Sequence, residues 1–307
     1  MSKPQRPQFL WFNGKIVPWE EGKIHVWSEV ATRGANVFEG IRCYRQKNGQ
    51  KAVLCLNEHL KRLFESAKLL HFVPKYTNDE MTNAIKRLVA TINEDDHIYI
   101  RPTIYAEYGR YGDLYGDEEY GAYVVAFPNK RSVSIEKGLK CAVSSWRHSN
   151  DLVISPRIKA GASYQAYRLP MIEARRNNFD DAILLNNEEY VTESTGAAIF
   201  IIKDNQLFTP PISSGILDSI TRKNVIKIVE EELNMKVNIQ NITRMDLYLA
   251  DEMFLAGTLA EITPIVKIDQ FDVSNGNVGE ITKSIQKVYF EICEGYRPDK
   301  WNWLTII

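Results

Sequence analysis

The sequence predicts a mixed α/β protein built from two domains, and three observations support this. The chain has 307 residues, more than one compact core usually needs and enough for two domains of medium size. In its first half, strand-like apolar runs are interspersed with segments whose apolar residues recur every three or four positions, as in helices. In its second half, short apolar runs follow one another across Asn-rich turns, and such a meander is typical of a barrel-like sheet.

The predicted N-terminal domain, residues 1–128, is a small α/β domain that opens with a hairpin. Two short apolar runs within residues 9–19 are joined by Asn13-Gly14, a dipeptide that supplies the positive φ angles of a tight turn. Asn57 and Asn78 are predicted to cap two helices, because each precedes apolar residues at helical spacing. The other predicted strands of this domain lie at residues 37–44, 51–56, 98–105 and 122–127.

A polar stretch at residues 129–137 is the predicted linker to a larger C-terminal domain at residues 138–307. This second domain contains the meander and the later helices. Its predicted strands lie at residues 139–146, 182–185, 190–192, 198–202 and 206–209. Its predicted helices lie at residues 165–176, 220–233, 244–249 and 280–292.

The charge and residue counts disfavour several classes of function. The net charge of -1 gives no electrostatic reason to expect nucleic acid or an anionic membrane as a partner, so a small-molecule ligand is expected. The four cysteines are widely spaced and the five histidines lack metal-ligand spacing, so neither a disulfide framework nor a metal site is expected. The N-terminus lacks the apolar core of a signal peptide and no apolar run is long enough to span a membrane, which predicts a cytoplasmic protein.

Residues 106–123, AEYGRYGDLYGDEEYGAY, alternate tyrosines with glycines. Long loops in compact domains are often functional, so one interpretation is a lid over a pocket. The other interpretation is a long exposed hairpin.

Several separate stretches carry chemistry that one cofactor could use. Lys159 lies among small residues in SPRIKAGASYQAYR, and Glu193 precedes a Ser-Thr-Gly turn. Residues 213–233 run from a small-residue loop into a helix, whose N-terminus is suited to phosphate. Thr258 lies in a second small-residue turn, and Arg62 lies on the first helix. Each has an ordinary alternative: a surface lysine, an exposed strand-end glutamate, plain turns and a solvated arginine beside Glu65.

Together these groups match pyridoxal phosphate, which needs an amine for its aldehyde, a carboxylate for its ring nitrogen and donors for its phosphate. The chain also resembles the branched-chain amino acid aminotransferases, which are fold-type IV pyridoxal phosphate enzymes. The resemblance spans nearly the whole chain. It is carried by VFEGIRCY at 37–44, EHLKRLFESAK at 58–68, YIRP at 99–102, the Lys159 stretch, TESTG at 192–196, SITR at 219–222, YLADEMFLAGTLAEITPI at 248–265 and DKWNWL at 299–304.

The resemblance implies a fold and a set of cofactor contacts. The fold would be a small N-terminal α/β domain and a larger pseudo-barrel domain, with the cofactor held between them in a homodimer. Lys159 would form the Schiff base, Tyr164 would bond the phenolic oxygen of the cofactor, and Glu193 would pair with its ring nitrogen. Four residues would hold the phosphate: Arg62, Ile220, Thr221 and Thr258.

The implied reaction moves the amino group of branched-chain or other hydrophobic L-amino acids to 2-oxoglutarate in two half-reactions, with ping-pong kinetics. Lys159 would shuttle the substrate proton. Two alternatives remain open at this point. One is a transaminase of other specificity, for a biosynthetic substrate, D-amino acids or (R)-amines. The other is a lyase similar to aminodeoxychorismate lyase.

The positions expected to lie near the substrate depart from the family pattern. Arg33 stands where these enzymes usually carry a tyrosine, and Ser163 stands where asparagine is common. The Tyr/Gly segment at 106–123 replaces the expected glycine-methionine-glycine-valine turn. Arg33 is predicted either to bind a substrate carboxylate or to reach solvent or a nearby glutamate, such as Glu29 or Glu39.

Four further residues are predicted to meet the substrate. Phe38 and Tyr99 would line the pocket, Arg101 would help to bind a carboxylate, and Gly257 lies beside Thr258. The alternatives are two core aromatics and an ion-paired strand arginine. Trp146 is interpreted either as a pocket wall or as interdomain packing.

Overall fold

The computed structural model describes residues 6–93, 96–108 and 119–307. Its helices are α1 Glu29–Arg33, α2 Leu56–Leu69, α3 Asn78–Ala90, α4 Ser134–Lys137, α5 Tyr164–Arg176, α6 Ile220–Glu232, α7 Arg244–Tyr248 and α8 Glu280–Cys293. Its strands are β1 Phe9–Phe12, β2 Lys15–Pro18, β3 Asn36–Phe38, β4 Ile41–Arg45, β5 Lys51–Leu54, β6 Ile98–Tyr108, β7 Glu119–Pro128, β8 Leu139–Arg147, β9 Asp181–Leu185, β10 Val191–Ser194, β11 Ala198–Lys203, β12 Gln206–Thr209, β13 Val237–Ile239, β14 Glu252–Gly257, β15 Glu261–Ile268, β16 Phe271–Asp272 and β17 Leu304–Ile306.

The chain divides into two compact units whose boundaries differ from the predicted ones. The first unit holds the described residues of Met1–Lys130 together with Ile158–Ala162 and Cys293–Ile307; the second holds Arg131–Arg157 and Ser163–Ile292. Two segments that the sequence assigned to residues 138–307 thus belong to the first unit. The reason is backbone pairing: β17 pairs antiparallel with β5, and Ala160 forms a bridge with Val37 of β3.

One mixed core organises the first unit. Its sheet has the order β17-β5-β4-β6-β7-β1-β2, and β3 also pairs with β6. The predicted hairpin is confirmed, with Asn13 and Gly14 both at positive φ between β1 and β2. The apolar faces of α2 and α3 pack in one core with this sheet. Their buried residues include Leu60, Leu63, Ile85 and Leu88.

Both predicted helix caps in this unit are wrong by a residue or more. Helix α2 begins at Leu56 after Cys55, whose φ of 50° is left-handed, so Asn57 lies inside the helix. Helix α3 is capped by Thr77 rather than by Asn78. Thr77 has Glu80 three residues later, and the two side chains exchange hydrogen bonds with each other's backbone N–H in a capping box.

The predicted strand at residues 37–44 is broken into β3 and β4 at Glu39-Gly40. The two pieces pair with different parts of β6, Val37 opposite Ile104 and Ile41 opposite Ile100. A Cβ atom on Gly40 would lie 2.9 Å from the Tyr99 hydroxyl, so a larger residue at the break would have to displace the Tyr99 side chain. The break leaves Glu39 fully buried beneath α2.

The second unit is built on a closed barrel, which confirms the barrel-like sheet. Each of β10, β9, β8, β15, β14 and β11 pairs with the next, and β11 pairs back to β10. The ring is mixed, because β8 runs parallel to both β9 and β15. The predicted linker at 129–137 contains α4, and Ile135 of α4 is buried.

The remaining predictions of elements in this unit agree with the structure to within two residues at each end. Within the described residues, no helix is both long and apolar enough to cross a membrane. The four cysteines all lie within the described residues, are buried and form no disulfide.

Candidate active site residues in the two units

Lys159 lies in the short segment Ile158–Ala162, which is held against β3 by backbone hydrogen bonds. The N–H of Phe38 donates to the Lys159 carbonyl at 3.0 Å, and the N–H of Gly161 donates to the Asn36 carbonyl at 3.0 Å. A Cβ atom on Gly161 would lie 2.5 Å from the Asn36 side chain. Gly161 is therefore small where the chain packs closely against the side chain and backbone of Asn36.

A single aromatic ring brings three predicted site residues together in this unit. The guanidinium carbon of Arg101 lies 3.7 Å from the centre of the Phe38 ring, and Lys159 Nζ lies 5.3 Å from it. Cations gather on an aromatic face because of its negative quadrupole. Two cations beside one ring make this region suited to a carboxylate. Tyr99 is also buried and packs against Phe127, with ring centres 5.4 Å apart.

Arg62 forms a bidentate ion pair with buried Glu39. Its Nε and Nη2 donate to Oε1 and Oε2 of Glu39 at 2.6 and 2.8 Å, and His59 Nδ1 lies 2.8 Å from Oε2. Burial by itself would raise the pKa of Glu39, but the charges of Arg62 and His59 hold that pKa well below its usual range. Arg62 is thus neither solvated nor paired with Glu65, whose partner is Lys61 at 3.9 Å. Its guanidinium is fixed in direction by Glu39.

Arg33 adopts one of its predicted alternatives, a pair with Glu29. Arg33 Nη1 donates to Glu29 Oε2 at 2.9 Å across one turn of α1. Glu39 is engaged elsewhere, by Arg62 and His59.

Glu193 lies on β10 in a buried polar cluster of the second unit. Its Oε1 lies 3.2 Å from His148 Nε2 and accepts a hydrogen bond from the N–H of Leu217 at 3.3 Å. The Tyr167 hydroxyl lies 3.2 Å from the same His148 nitrogen. Sequence reasoning missed His148 and Tyr167. The available signal was a histidine two residues after the end of the strand predicted at 139–146.

The loop that reaches Glu193 leads directly into α6. Ser219 caps this helix, its Oγ accepting from the N–H of Arg222 at 3.2 Å. Ile220 and Thr221 form the first turn and are buried. The contact between Leu217 and Glu193 therefore places the start of α6 close to the carboxylate, as the predicted site requires.

Two small-residue turns also meet in this unit. Gly257 ends β14, and a Cβ atom on it would lie 3.1 Å from the Ala197 side chain. Ala197 belongs to the turn after Glu193, in which Ser194 Oγ accepts from the N–H groups of Gly196 and Ala197. Thr258 directly follows Gly257, so its turn lies near the Glu193 turn.

Other predicted residues have less specific surroundings. Tyr164 begins α5 and packs edge-on against Tyr167, with ring centres 5.5 Å apart. Trp146 is 48% exposed on β8. Residues 106–108 and 119–123 belong to the antiparallel pair β6 and β7. The remainder of the predicted lid segment, residues 109–118, lies outside the described residues, so the lid stays a prediction.

The second-unit residues fit the ring and phosphate of pyridoxal phosphate. Oε2 of Glu193 accepts no hydrogen bond from any described residue, although the Glu193 side chain is only 9% exposed. An oxygen without a donor, on a largely buried carboxylate, suits a protonated ring nitrogen. The N-terminus of α6 offers backbone N–H groups to a phosphate.

Comparisons with known proteins agree with this chemistry. A family model described as amino-transferase class IV matches residues 36–268. The chain is 38% identical to the branched-chain-amino-acid aminotransferase of Escherichia coli K12, over 98% of this chain and 97% of that protein. It is similar to the crystal structure of the Thermobaculum terrenum branched-chain amino acid aminotransferase in its PLP form, with 37% identity, a TM-score of 0.93 and 98% of each chain covered. It is also similar to a T.th. branched-chain amino acid aminotransferase complexed with N-(5'-phosphopyridoxyl)-L-glutamate, with 32% identity, a TM-score of 0.92 and 99% of each chain covered.

Proposed function

We propose that this chain, which belongs to the amino-transferase class IV family, is a pyridoxal phosphate-dependent aminotransferase acting on branched-chain or other hydrophobic L-amino acids, with 2-oxoglutarate as acceptor. The cofactor is supported by the relatives with PLP and phosphopyridoxyl-glutamate. The donor class is supported by the names of those relatives. The structural observation that carries the proposal is that Glu193, a largely buried glutamate near the start of α6, has an oxygen, Oε2, that accepts no hydrogen bond from the described residues.

Each unit supplies part of the required chemistry. Pyridoxal phosphate, when bound, supplies an electron sink for the electrons left when the Cα–H bond of the amino acid breaks. Lys159 Nζ would hold the aldehyde carbon covalently and, once released by the substrate amine, would take the proton from Cα. Glu193 Oε2 would accept the hydrogen bond of the ring N–H and keep that nitrogen protonated. Tyr164 would bond the phenolic oxygen.

Phosphate binding is assigned to four residues. The N-terminus of α6 offers the backbone of Ile220 and the backbone and hydroxyl of Thr221. Thr258 would contribute from the turn after β14. Arg62 would contribute its charge, and its bidentate pair with Glu39 would fix its orientation.

Substrate binding is assigned to residues around Phe38. Arg101 lies over the Phe38 ring and would bind the substrate carboxylate, while Phe38 and Tyr99 would contact an apolar side chain. Gly257 would leave room beside Thr258. Arg33 is engaged with Glu29, so a role in carboxylate binding would require that pair to open.

We also propose a homodimer in the cytoplasm. The dimer follows the family resemblance of the sequence. The location is supported by four buried cysteines that form no disulfide, as is typical of a reducing compartment.

Two experiments test the function. The purified protein should absorb visible light through its cofactor, and Lys159→Ala should abolish this band whereas Lys61→Ala, at an exposed site, should keep it. An unchanged spectrum in Lys159→Ala would refute the assignment of the lysine. Single donors without acceptor then test the substrate: L-leucine and L-glutamate should convert the cofactor, and D-alanine and (R)-1-phenylethylamine should not. Reaction with neither L-amino acid would overturn the proposed specificity.

A further inference from the structure

We infer that His148 is a positioning residue for Glu193: it holds carboxylate oxygen Oε1 so that Oε2 remains open to the protonated ring nitrogen of the cofactor. This inference rests on the proposed function, because it gives Glu193 the ring nitrogen as its ligand. It adds to that function a residue that does not itself contact the cofactor.

Both ring nitrogens of His148 face acceptors. Nδ1 lies 2.8 Å from the carbonyl oxygen of Ser149, which can only accept, so Nδ1 carries a proton. Nε2 lies 3.2 Å from Glu193 Oε1, which as part of a carboxylate also only accepts, so Nε2 carries a proton as well. The His148 side chain has no exposed surface. The geometry therefore describes a buried imidazolium that donates to Glu193.

Among the groups around Glu193, His148 is the one that can donate a charged hydrogen bond to its carboxylate. Burial would lower the pKa of His148, but the hydrogen bond and charge of Glu193 raise that pKa above its ordinary value. On α5, burial and the charge of Glu193 raise the pKa of Tyr167, so its hydroxyl stays neutral beside Nε2. On α6, the charge of Glu193 acts on the pKa of buried Arg222. The guanidinium of Arg222, however, donates its hydrogen bonds to Thr209 Oγ1 and to the Pro210 carbonyl. Within the described residues, His148 is the only ionisable side chain that hydrogen-bonds Glu193.

The two oxygens of Glu193 are consequently different. Oε1 accepts from His148 and from the N–H of Leu217, and these two donors fix the carboxylate plane. Oε2 accepts nothing from the described residues. With Oε1 occupied, Oε2 is the oxygen that can accept a hydrogen bond from the protonated ring nitrogen, and such a bond favours the charged form of that nitrogen. His148 thereby sets the orientation of the carboxylate oxygen that would meet the cofactor.

The holoprotein reconstituted with ring-¹⁵N-labelled pyridoxal phosphate provides the main test. The ¹⁵N chemical shift of the ring nitrogen should report a protonated ring in the wild type and move towards the neutral value in His148→Gln. Cofactor affinity should fall about tenfold, the size expected for one charge-assisted hydrogen bond. His148→Arg keeps a positive donor and should restore both readouts. A wild-type shift and affinity in His148→Gln would overturn the inference.

A second measurement leaves residue 148 unchanged, in case His148→Gln does not fold. The imidazole signals of the full-length protein without added cofactor are titrated by NMR in the wild type and in Glu193→Gln. The His148 signal should titrate above its ordinary range and move to a lower pKa in the variant; no difference would overturn the inference. If the wild type binds no pyridoxal phosphate, both the proposed function and the inference fail. If binding and the Lys159-dependent absorbance are normal but His148→Gln has no effect, the inference alone fails.

Discussion

The two units each bury a glutamate beside a histidine, yet the pKa values of the two histidines shift in opposite directions. In the first unit, burial together with the charges of Arg62 and Lys159 lowers the pKa of His59 by more than Glu39 raises it. In the second unit, Glu193 raises the pKa of His148 against the effect of burial. The difference lies in the arginine: Arg62 already meets both oxygens of Glu39, whereas no arginine hydrogen-bonds Glu193 within the described residues.

This comparison separates a closed carboxylate from an open one. Glu39 accepts from Arg62 at both oxygens and from His59, so it has little capacity left for a ligand. Glu193 has one occupied oxygen and one open oxygen. The first arrangement is suited to holding Arg62 in place, and the second to receiving a cationic group.

The largest effect is expected from opening the closed pair. Glu39→Gln removes the charge partner of Arg62, and an arginine cannot lose its proton to avoid burial as a charge. Breaking a buried pair in this way costs about 3–5 kcal/mol. Urea denaturation should show a loss of this size in the free energy of unfolding. The control, Glu65→Gln, alters the exposed Lys61 pair and should change that energy by about 0.5 kcal/mol or less. Equal losses in the two variants would contradict the distinction.

The second largest effect is expected at Glu193, the open carboxylate. It concerns the rate of the reaction with the amino donor more than the stability of the fold. Glu193→Gln removes the anion that keeps the ring nitrogen protonated, so the single-turnover rate with L-leucine should fall about a hundredfold or more, as when one preorganised electrostatic contact is lost. The free energy of unfolding should fall less than in Glu39→Gln, because His148, unlike Arg62, can release its proton. If Glu193→Gln lost as much stability as Glu39→Gln and kept a normal rate, the distinction between an open and a closed carboxylate would be contradicted.

The third prediction concerns pH. His148 has a raised pKa when folded, so its contribution to stability is fully present below the unfolded pKa of about 6.5 and is lost as pH rises through the folded pKa. His59 has a lowered pKa, so it disfavours folding as pH falls below about 6.5. The free energy of unfolding of His148→Gln should therefore lie about 1–2 kcal/mol below that of the wild type at pH 6, and this gap should narrow at higher pH.

A gap that widens with pH would show that folding lowers the pKa of His148, as it lowers that of His59. The matched variant His59→Gln should show the opposite trend, because it removes the protonation that opposes folding at low pH. Both series are measured by urea denaturation across the same pH range.

The smallest effect is expected at Arg33. Arg33→Met removes a partly exposed pair with Glu29, which should cost about 1 kcal/mol or less. If this pair is the whole role of Arg33, single-turnover rates with L-leucine and L-glutamate should both stay within about twofold, since surface pairs contribute little. A selective loss of the L-glutamate rate would instead identify Arg33 as a carboxylate ligand.

Local sequence patterns were enough to predict much of the fold and the chemistry of individual residues. The Asn13-Gly14 hairpin, the amphipathic helices and the meander were predictable because turn dipeptides and apolar periodicity act over a few residues. The capping error at Asn78 has a local cause too: Thr77 with Glu80 satisfies more backbone groups than Asn78 does. The break at Glu39-Gly40 was not predictable, since it depends on how β6 lies beside the strand.

The sequence by itself determined the barrel-like sheet, the family and the kinds of group present, because periodicity and motif order are written along the chain. Only the tertiary structure decided which groups are partners. Glu39 and Arg62 are 23 positions apart, and His148 and Glu193 are 45 positions apart. Whether a buried histidine is charged depends on which carboxylate and which arginine the fold brings to it. Coulomb and desolvation energies act through space rather than along the chain.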